Sequence, residues 1–125
     1  MINFDTTEVF KLRQVKEDRF EKMIAPLLIG GEAIMCAFQT VRDGIVFTNK
    51  RIIAINIQGA LGLKKDFTSL PYNRIQAFSI ETPQLFDVDC DLELWFQEIG
   101  RIRFEFTVNS DVAFICRTIS EYALR

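Results

Sequence analysis

The chain contains no histidine. That removes the commonest general base and the commonest metal ligand together. Ser69, Ser79, Ser110 and Ser120, like the cysteines, therefore lack the imidazole that would activate them as nucleophiles. Cysteine is scarce: Cys36, Cys90 and Cys116 are odd in number, far apart and set among apolar neighbours. Neither metal-knuckle nor CxxC spacing occurs. Buried free thiols in a reducing cytoplasm are expected, with reactive or bridged cysteines as the alternative. Basic charge is not in excess, since 15 Lys and Arg against 17 Asp and Glu leave a net charge of −2. A broad positive field for nucleic acid or an anionic membrane is thus missing, although a local basic patch stays open. No long apolar run is present either; Met23 to Gly31, nearly uncharged, is too short to span a bilayer. Met1 to Asp5 has no basic segment leading into an apolar one, so a soluble, cytoplasmic protein is expected.

Phenylalanine is what the chain has in quantity: 12 Phe against one Trp and two Tyr, in a sequence 49% apolar. Together with a length of 125 residues, this describes one globular domain with a real core. From Thr7 to Leu28, Val9, Phe10, Leu12, Val15, Phe20, Met23, Ile24 and Leu27 recur near a helical period. N-terminal helices are therefore expected, kinked or stopped at Pro26 and ended by Gly30-Gly31. Beyond them the pattern becomes β-like. Glu32–Thr40, Ile45–Phe47, Arg51–Ile57, Leu63–Leu70 and Arg74–Thr82 read as short strands, with Asp43-Gly44 as a turn signal. Two further segments alternate strictly: Cys90, Leu92, Leu94 and Phe96 against acidic residues and Trp95, then Ile102, Phe104, Phe106 and Val108 against charged residues and Thr107. That is the pattern of a half-buried antiparallel hairpin. A last helix starts at an Asn109 or Ser110 cap and carries Val112, Ile115, Cys116, Ile119 and Tyr122 on one stripe.

The expected architecture is α+β, mainly β: a bent antiparallel sheet of about seven strands, with its open end plugged by the C-terminal helix. A single domain covers 1–125, with an N-terminal helical segment at 1–30, the sheet at 31–108 and the helix at 109–125.

Several stretches resemble the bacterial pleckstrin-homology-like domain family. They are Gly31-Glu32, Asp43-Gly44-Ile45-Val46-Phe47-Thr48-Asn49-Lys50-Arg51-Ile52-Ile53, Gly62-Leu63-Lys64-Lys65, Ser69-Leu70-Pro71-Tyr72-Asn73-Arg74-Ile75 and Phe78-Ser79-Ile80-Glu81-Thr82. The resemblance runs from about Phe10 to Tyr122. It implies a seven-stranded, barrel-like bent sheet with a C-terminal helix and added N-terminal helices. It also implies closed homo-oligomeric rings, pentameric for a single-domain chain, a protein–protein interaction role and no enzymatic activity or cofactor.

Candidate sites are few. Arg42, Asp43, Lys50 and Arg51 form the polar surface expected to face partners, with Lys64-Lys65 nearby in the chain. Asp43 and Asp66 interleave with these cations, which favours solvated turn charges and salt bridges over a phosphoinositide or anionic-lipid site. Asp87, Asp89, Asp91 and Glu93 could bind a hard cation but lack the Gly and terminal Glu of a calcium loop. A solvated strand face, paired with Arg101 and Arg103 across the hairpin, is the plainer reading, and no metal is expected. Trp95 falls on the polar face: either it anchors a subunit interface, as Phe67 does, or the N-terminal helices cover it. Phe4 and Phe86 are further candidates for protomer contacts. Gly59-Ala60-Leu61-Gly62 lacks the context of a phosphate loop. The expected partners are the chain itself and an unidentified protein, with no nucleic acid; an anionic lipid or small ligand held by the basic loops is the alternative.

Overall fold

The computed structural model describes residues 4, 10–81, 90–107 and 110–125. The chain runs β1 (Phe10–Val15), α1 (Glu21–Ile24), a 3-10 turn (Ala25–Leu27), β2 (Ile34–Gln39), β3 (Gly44–Thr48), β4 (Arg51–Gln58) and β5 (Lys64–Pro71). A second 3-10 turn (Tyr72–Arg74) then leads to β6 (Ile75–Glu81), β7 (Cys90–Phe96), β8 (Gly100–Phe106) and α2 (Val112–Ala123). The strands form one eight-stranded sheet in the order β5-β4-β3-β2-β1-β8-β7-β6, curled but unclosed, with β5 and β6 at its two edges.

The alternating hairpin is present at the expected positions. β7 buries every second residue, and its register sets Leu92 opposite Phe104 and Leu94 opposite Ile102. These inward residues join Leu12, Phe38, Ile45, Phe47, Ile52, Leu70 and Phe106 in the main core. α2 covers that core with Ile115 and Ile119. Its N-cap is Asp111, whose carboxylate accepts a hydrogen bond from the Phe114 amide at 3.2 Å. Tyr122 stacks on Tyr72 with ring centroids 5.8 Å apart, which fixes the helix to the turn between the two sheet edges.

β3 is buried on both faces. Ile45 and Phe47 point into the main core, while Val46 joins Ala37, Ile53, Ile55, Phe20 and Ile24 in a smaller core on the outer side. This double burial explains why Gly-Ile-Val-Phe-Thr reads as a continuous apolar run instead of an alternating one. The Phe20 ring sits where a Cβ on Gly44 would be, 2.6 Å from that position, so the glycine permits the close approach.

The start of the chain differs from the helical expectation. Residues Phe10–Val15 are a strand, and among the described residues of this segment only Glu21–Ile24 and the following 3-10 turn coil, with Pro26 in that turn. The apolar spacing was compatible with either state over so short a stretch: Leu12 is fully buried between exposed Lys11 and Arg13, a period of two. Pairing decides it. β1 lies between β2 and β8 and supplies the eighth strand; its first half runs parallel to β8 and its second half antiparallel to β2. The sheet is thus antiparallel at every junction but that one.

Candidate functional site

The four residues Arg42, Asp43, Lys50 and Arg51 do not form one surface. β3 separates the Arg42-Asp43 turn from the Lys50-Arg51 turn, and its five residues span about 16 Å. Each turn is instead built around its own set of internal bonds.

At the β3–β4 turn, Arg51 is fully engaged. Its Nε donates to Glu32 Oε2 and its Nη2 to Glu32 Oε1, both at 2.9 Å. Further bonds run to the Leu27 carbonyl at 2.8 Å and to Ser69 Oγ at 2.9 Å. None of the Glu32 side chain is open to water. Burial alone would raise its pKa, but hydrogen bonds from Arg51, Thr48 and the Ile29 amide, with the Arg51 charge, hold the carboxyl below its ordinary value. Thr48 Oγ1 donates to Glu32 at 2.7 Å and accepts from the Lys50 and Arg51 amides at 3.0 Å. Asn49 clamps the same turn to residues 31–33: its Oδ1 accepts from the Ala33 amide and its Nδ2 donates to the Gly31 carbonyl, each at 2.8 Å. Glu32 and Thr48-Asn49-Lys50-Arg51 therefore act as a structural knot that binds the chain before β2 to the turn after β3. Lys50 alone among them extends outward, exposed.

At the opposite end, Asp43 accepts from the Ile57 amide at 3.0 Å and from Asn56 Nδ2 at 3.2 Å. Arg42 Nη2 donates to the Gly59 carbonyl at 2.7 Å. The β2–β3 turn and the β4–β5 loop are thereby tied together.

Trp95 lies half-buried on the outer face of β7, between Ala77 of β6 and Arg101 of β8, and belongs to neither core. Among the described residues, the N-terminal segment builds a second core over β2–β4 and none over Trp95. Beside it run cross-strand ion pairs, Asp91–Arg103 at 2.6 Å and Glu93–Arg101 at 3.6 Å. Both are diagonal, since the register sets Glu93 opposite Arg103 and Trp95 opposite Arg101. Phe67, on edge strand β5, packs half-buried against the outer core. Phe4, considered for protomer contacts, is 8% exposed in the main core. Phe86, Asp87 and Asp89 lie outside the described residues.

Cys36 and Cys90 are buried free thiols and Cys116 is half-buried. Burial, followed by the charges of Asp111 and Glu17, pushes Cys36 up to about 12. Burial likewise raises Cys90, whose Sγ lies 2.9 Å from the Glu81 carbonyl oxygen.

A cavity of about 580 Å³ opens at the seam between the sheet edges, lined among others by Ser69, Arg74, Gln76 and Glu98. Another, of about 640 Å³, lies beside Phe67, Lys65, Arg19 and Met23. Neither gathers a nucleophile with a base and an orienting group. The sequence matches the bacterial PH domain over residues 3–123.

The chain belongs to the bacterial PH domain family.

Among solved structures, this PH domain is similar to a DUF1696-family protein with a pleckstrin-homology domain from Shewanella loihica. The two are 34% identical with a TM-score of 0.77, over 91% of this chain and 98% of that one. A pleckstrin homology domain from Shewanella amazonensis is 37% identical with a TM-score of 0.66, over 89% and 90% of the two chains. The uncharacterized protein YjqA of Bacillus subtilis is 45% identical over 75 residues, a match spanning 60% of each protein. The expected PH-like fold is therefore present, in an eight-stranded version whose first strand stands where helices were expected. PH domains are generally non-catalytic. Among the described residues no helix is long and apolar enough to cross a membrane.

Proposed function

We propose that the chain is a non-catalytic protein–protein interaction module that works in the cytoplasm as a closed homo-oligomeric ring. The observation that best supports this is the pair of free sheet edges, β5 with eight residues and β6 with seven. Among the described residues, each edge presents a row of backbone donors and acceptors with no strand beside it. β6 has no proline among Ile75–Glu81 to blunt it. Setting β5 of one copy against β6 of the next is a head-to-tail contact, which closes when the rotation per subunit divides a full turn. A copy crossing the β6 edge would cover Trp95 on the adjacent strand, with Phe67 on the β5 side. An amphipathic aromatic at that position suits a subunit anchor.

A pentamer is the size that the family resemblance implies for a single-domain chain. The ring repeats one surface around its axis, so that weak contacts with a partner protein gain avidity. Lys50 and Arg42 provide polar contacts at its two ends. The alternative, an anionic lipid or small ligand held by basic loops, would have to proceed without Arg51, whose guanidinium is committed to Glu32, Ser69 and Leu27. Light scattering of the purified protein tests the ring. The expected mass is a multiple of the 14.5 kDa protomer, fivefold for a pentamer. A strictly monomeric particle at micromolar concentration would sink it.

A further inference from the structure

The end of the sheet where β5 hands over to β6 is finished differently from the turns on either side of β3. At those turns the polar side chains are taken up internally, as the bonds of Arg42, Asp43, Asn49 and Arg51 show. Around the cavity of about 580 Å³ at the sheet seam the opposite holds. Among the described residues, Asn73, Arg74, Gln76, Gln97 and Glu98 line it with no side-chain hydrogen bond or ion pair. All are exposed.

Separate stretches of the chain bring these groups together. Asn73 and Arg74 belong to the 3-10 turn, Gln76 to the start of β6, and Gln97 and Glu98 to the β7–β8 turn. Gln76 arrives through a slip in the ladder: Ile75 faces Phe96 and Ala77 faces Trp95, so Gln76 is an extra residue without a partner on β7. Bulges of this kind re-aim a side chain and recur beside binding sites. The 3-10 turn is fixed from behind, since the Tyr72 hydroxyl donates to the Thr48 carbonyl at 2.8 Å. Buried Leu70 and Phe96, with half-buried Ile75 and Ile99, give the cavity its apolar walls. Its volume falls in the range of small-molecule sites, about 300–1,000 Å³.

Arg74 and Glu98 carry opposite charges on this one cavity and do not bridge each other. A ligand with an anionic and a cationic end satisfies both, whereas a purely anionic one would meet Glu98 with the wrong sign. Asn73, Gln76 and Gln97 each offer a carboxamide, donor and acceptor together, which is the complement of a peptide group.

We propose that the seam cavity binds a short zwitterionic peptide. Its carboxylate pairs with Arg74, its ammonium group with Glu98, and its peptide groups with the carboxamides between them. Aliphatic side chains suit the Ile75 and Ile99 walls. The site belongs to a single protomer and does not rest on the ring.

Titration calorimetry of the full chain with the tripeptide Ala-Leu-Ala tests this, beside the same peptide acetylated at its N-terminus or amidated at its C-terminus. The free peptide should saturate one site per chain, and each cap should weaken binding about fivefold. Arg74→Gln should cost about the same, and in that variant amidation should cost nothing more while acetylation still does. Glu98→Gln should show the reverse. A merely structural defect would weaken all the peptides alike. Both side chains are exposed, so the variants should melt as the parent does, which a thermal scan checks. The proposal is overturned by an absence of binding at millimolar peptide, by capped peptides that bind as well as the free one, or by variants that keep the parental affinity. Leucine alone binding as tightly as the tripeptide would also overturn it. Light scattering of the same samples reads the assembly separately, so failure of one leaves the other standing.

Discussion

Replacing Glu32 with glutamine keeps the side chain's shape and removes its charge, so it isolates the pair with Arg51. Two charged hydrogen bonds are weakened and a guanidinium only 21% exposed loses its counter-ion. The expected loss is about 2–3 kcal/mol, below that of a fully buried pair because Arg51 keeps some contact with water. Chemical denaturation at neutral pH measures it. The pH dependence follows from the lowered pKa. The folded carboxyl titrates below its ordinary 4.5, so its contribution to stability is present above that value. It is lost as pH falls through the lower folded value, and Glu32→Gln should flatten this acid limb. The cysteines provide a second check at the same scale. With Cys36 pushed up to about 12 and Cys90 also raised, both buried, a thiol reagent at mildly alkaline pH should modify half-buried Cys116 first. Mass spectrometry of the partly labelled protein reads the order. Early labelling of Cys36 would contradict the packing described.

The contact between α1 and β3 depends on Gly44. A methyl group there would meet the Phe20 ring at 2.6 Å, and that ring is itself buried at 3% exposure. Gly44→Ala should therefore displace Phe20 and destabilise the protein by about 1–3 kcal/mol, seen as a lower melting temperature. Other elements were legible from sequence to different degrees, for physical reasons. β7 and β8 were clear because one face meets the core and the other meets water, which writes burial directly into alternation. α2 was clear from its stripe, although the cap proved to be Asp111, just past the Asn109 or Ser110 expected. β1 was misread because its state is fixed by two partners distant in sequence, and no local pattern records them. The Arg42–Arg51 stretch was read as one polar surface because its residues are adjacent in the chain. An intervening strand sends them to opposite ends, and Glu32, 19 residues from Arg51, is the partner that proximity in sequence conceals. Arg74 and Glu98 gave no signal in advance, since the cavity they share exists only after folding.

On the scale of the whole molecule, Trp95 is the residue whose replacement separates assembly from folding. It belongs to neither core, so Trp95→Glu should leave the melting of the protomer nearly unchanged. In the ring it would remove an aromatic anchor and add charge at the contact, a loss of about 2 kcal/mol or more per interface. Light scattering across a dilution series should then show dissociation at about 30-fold higher concentration than the parent. The curled sheet has one more property, set by β1. Phe10 lies beside Phe104 and Leu12 beside Phe106, while Arg13 to Val15 face β2, so a single short strand stitches the two halves of the sheet together. During synthesis that strand leaves the ribosome long before β8 exists. It must wait, half-matched, for nearly the entire polypeptide to be made, and only its late return completes the domain.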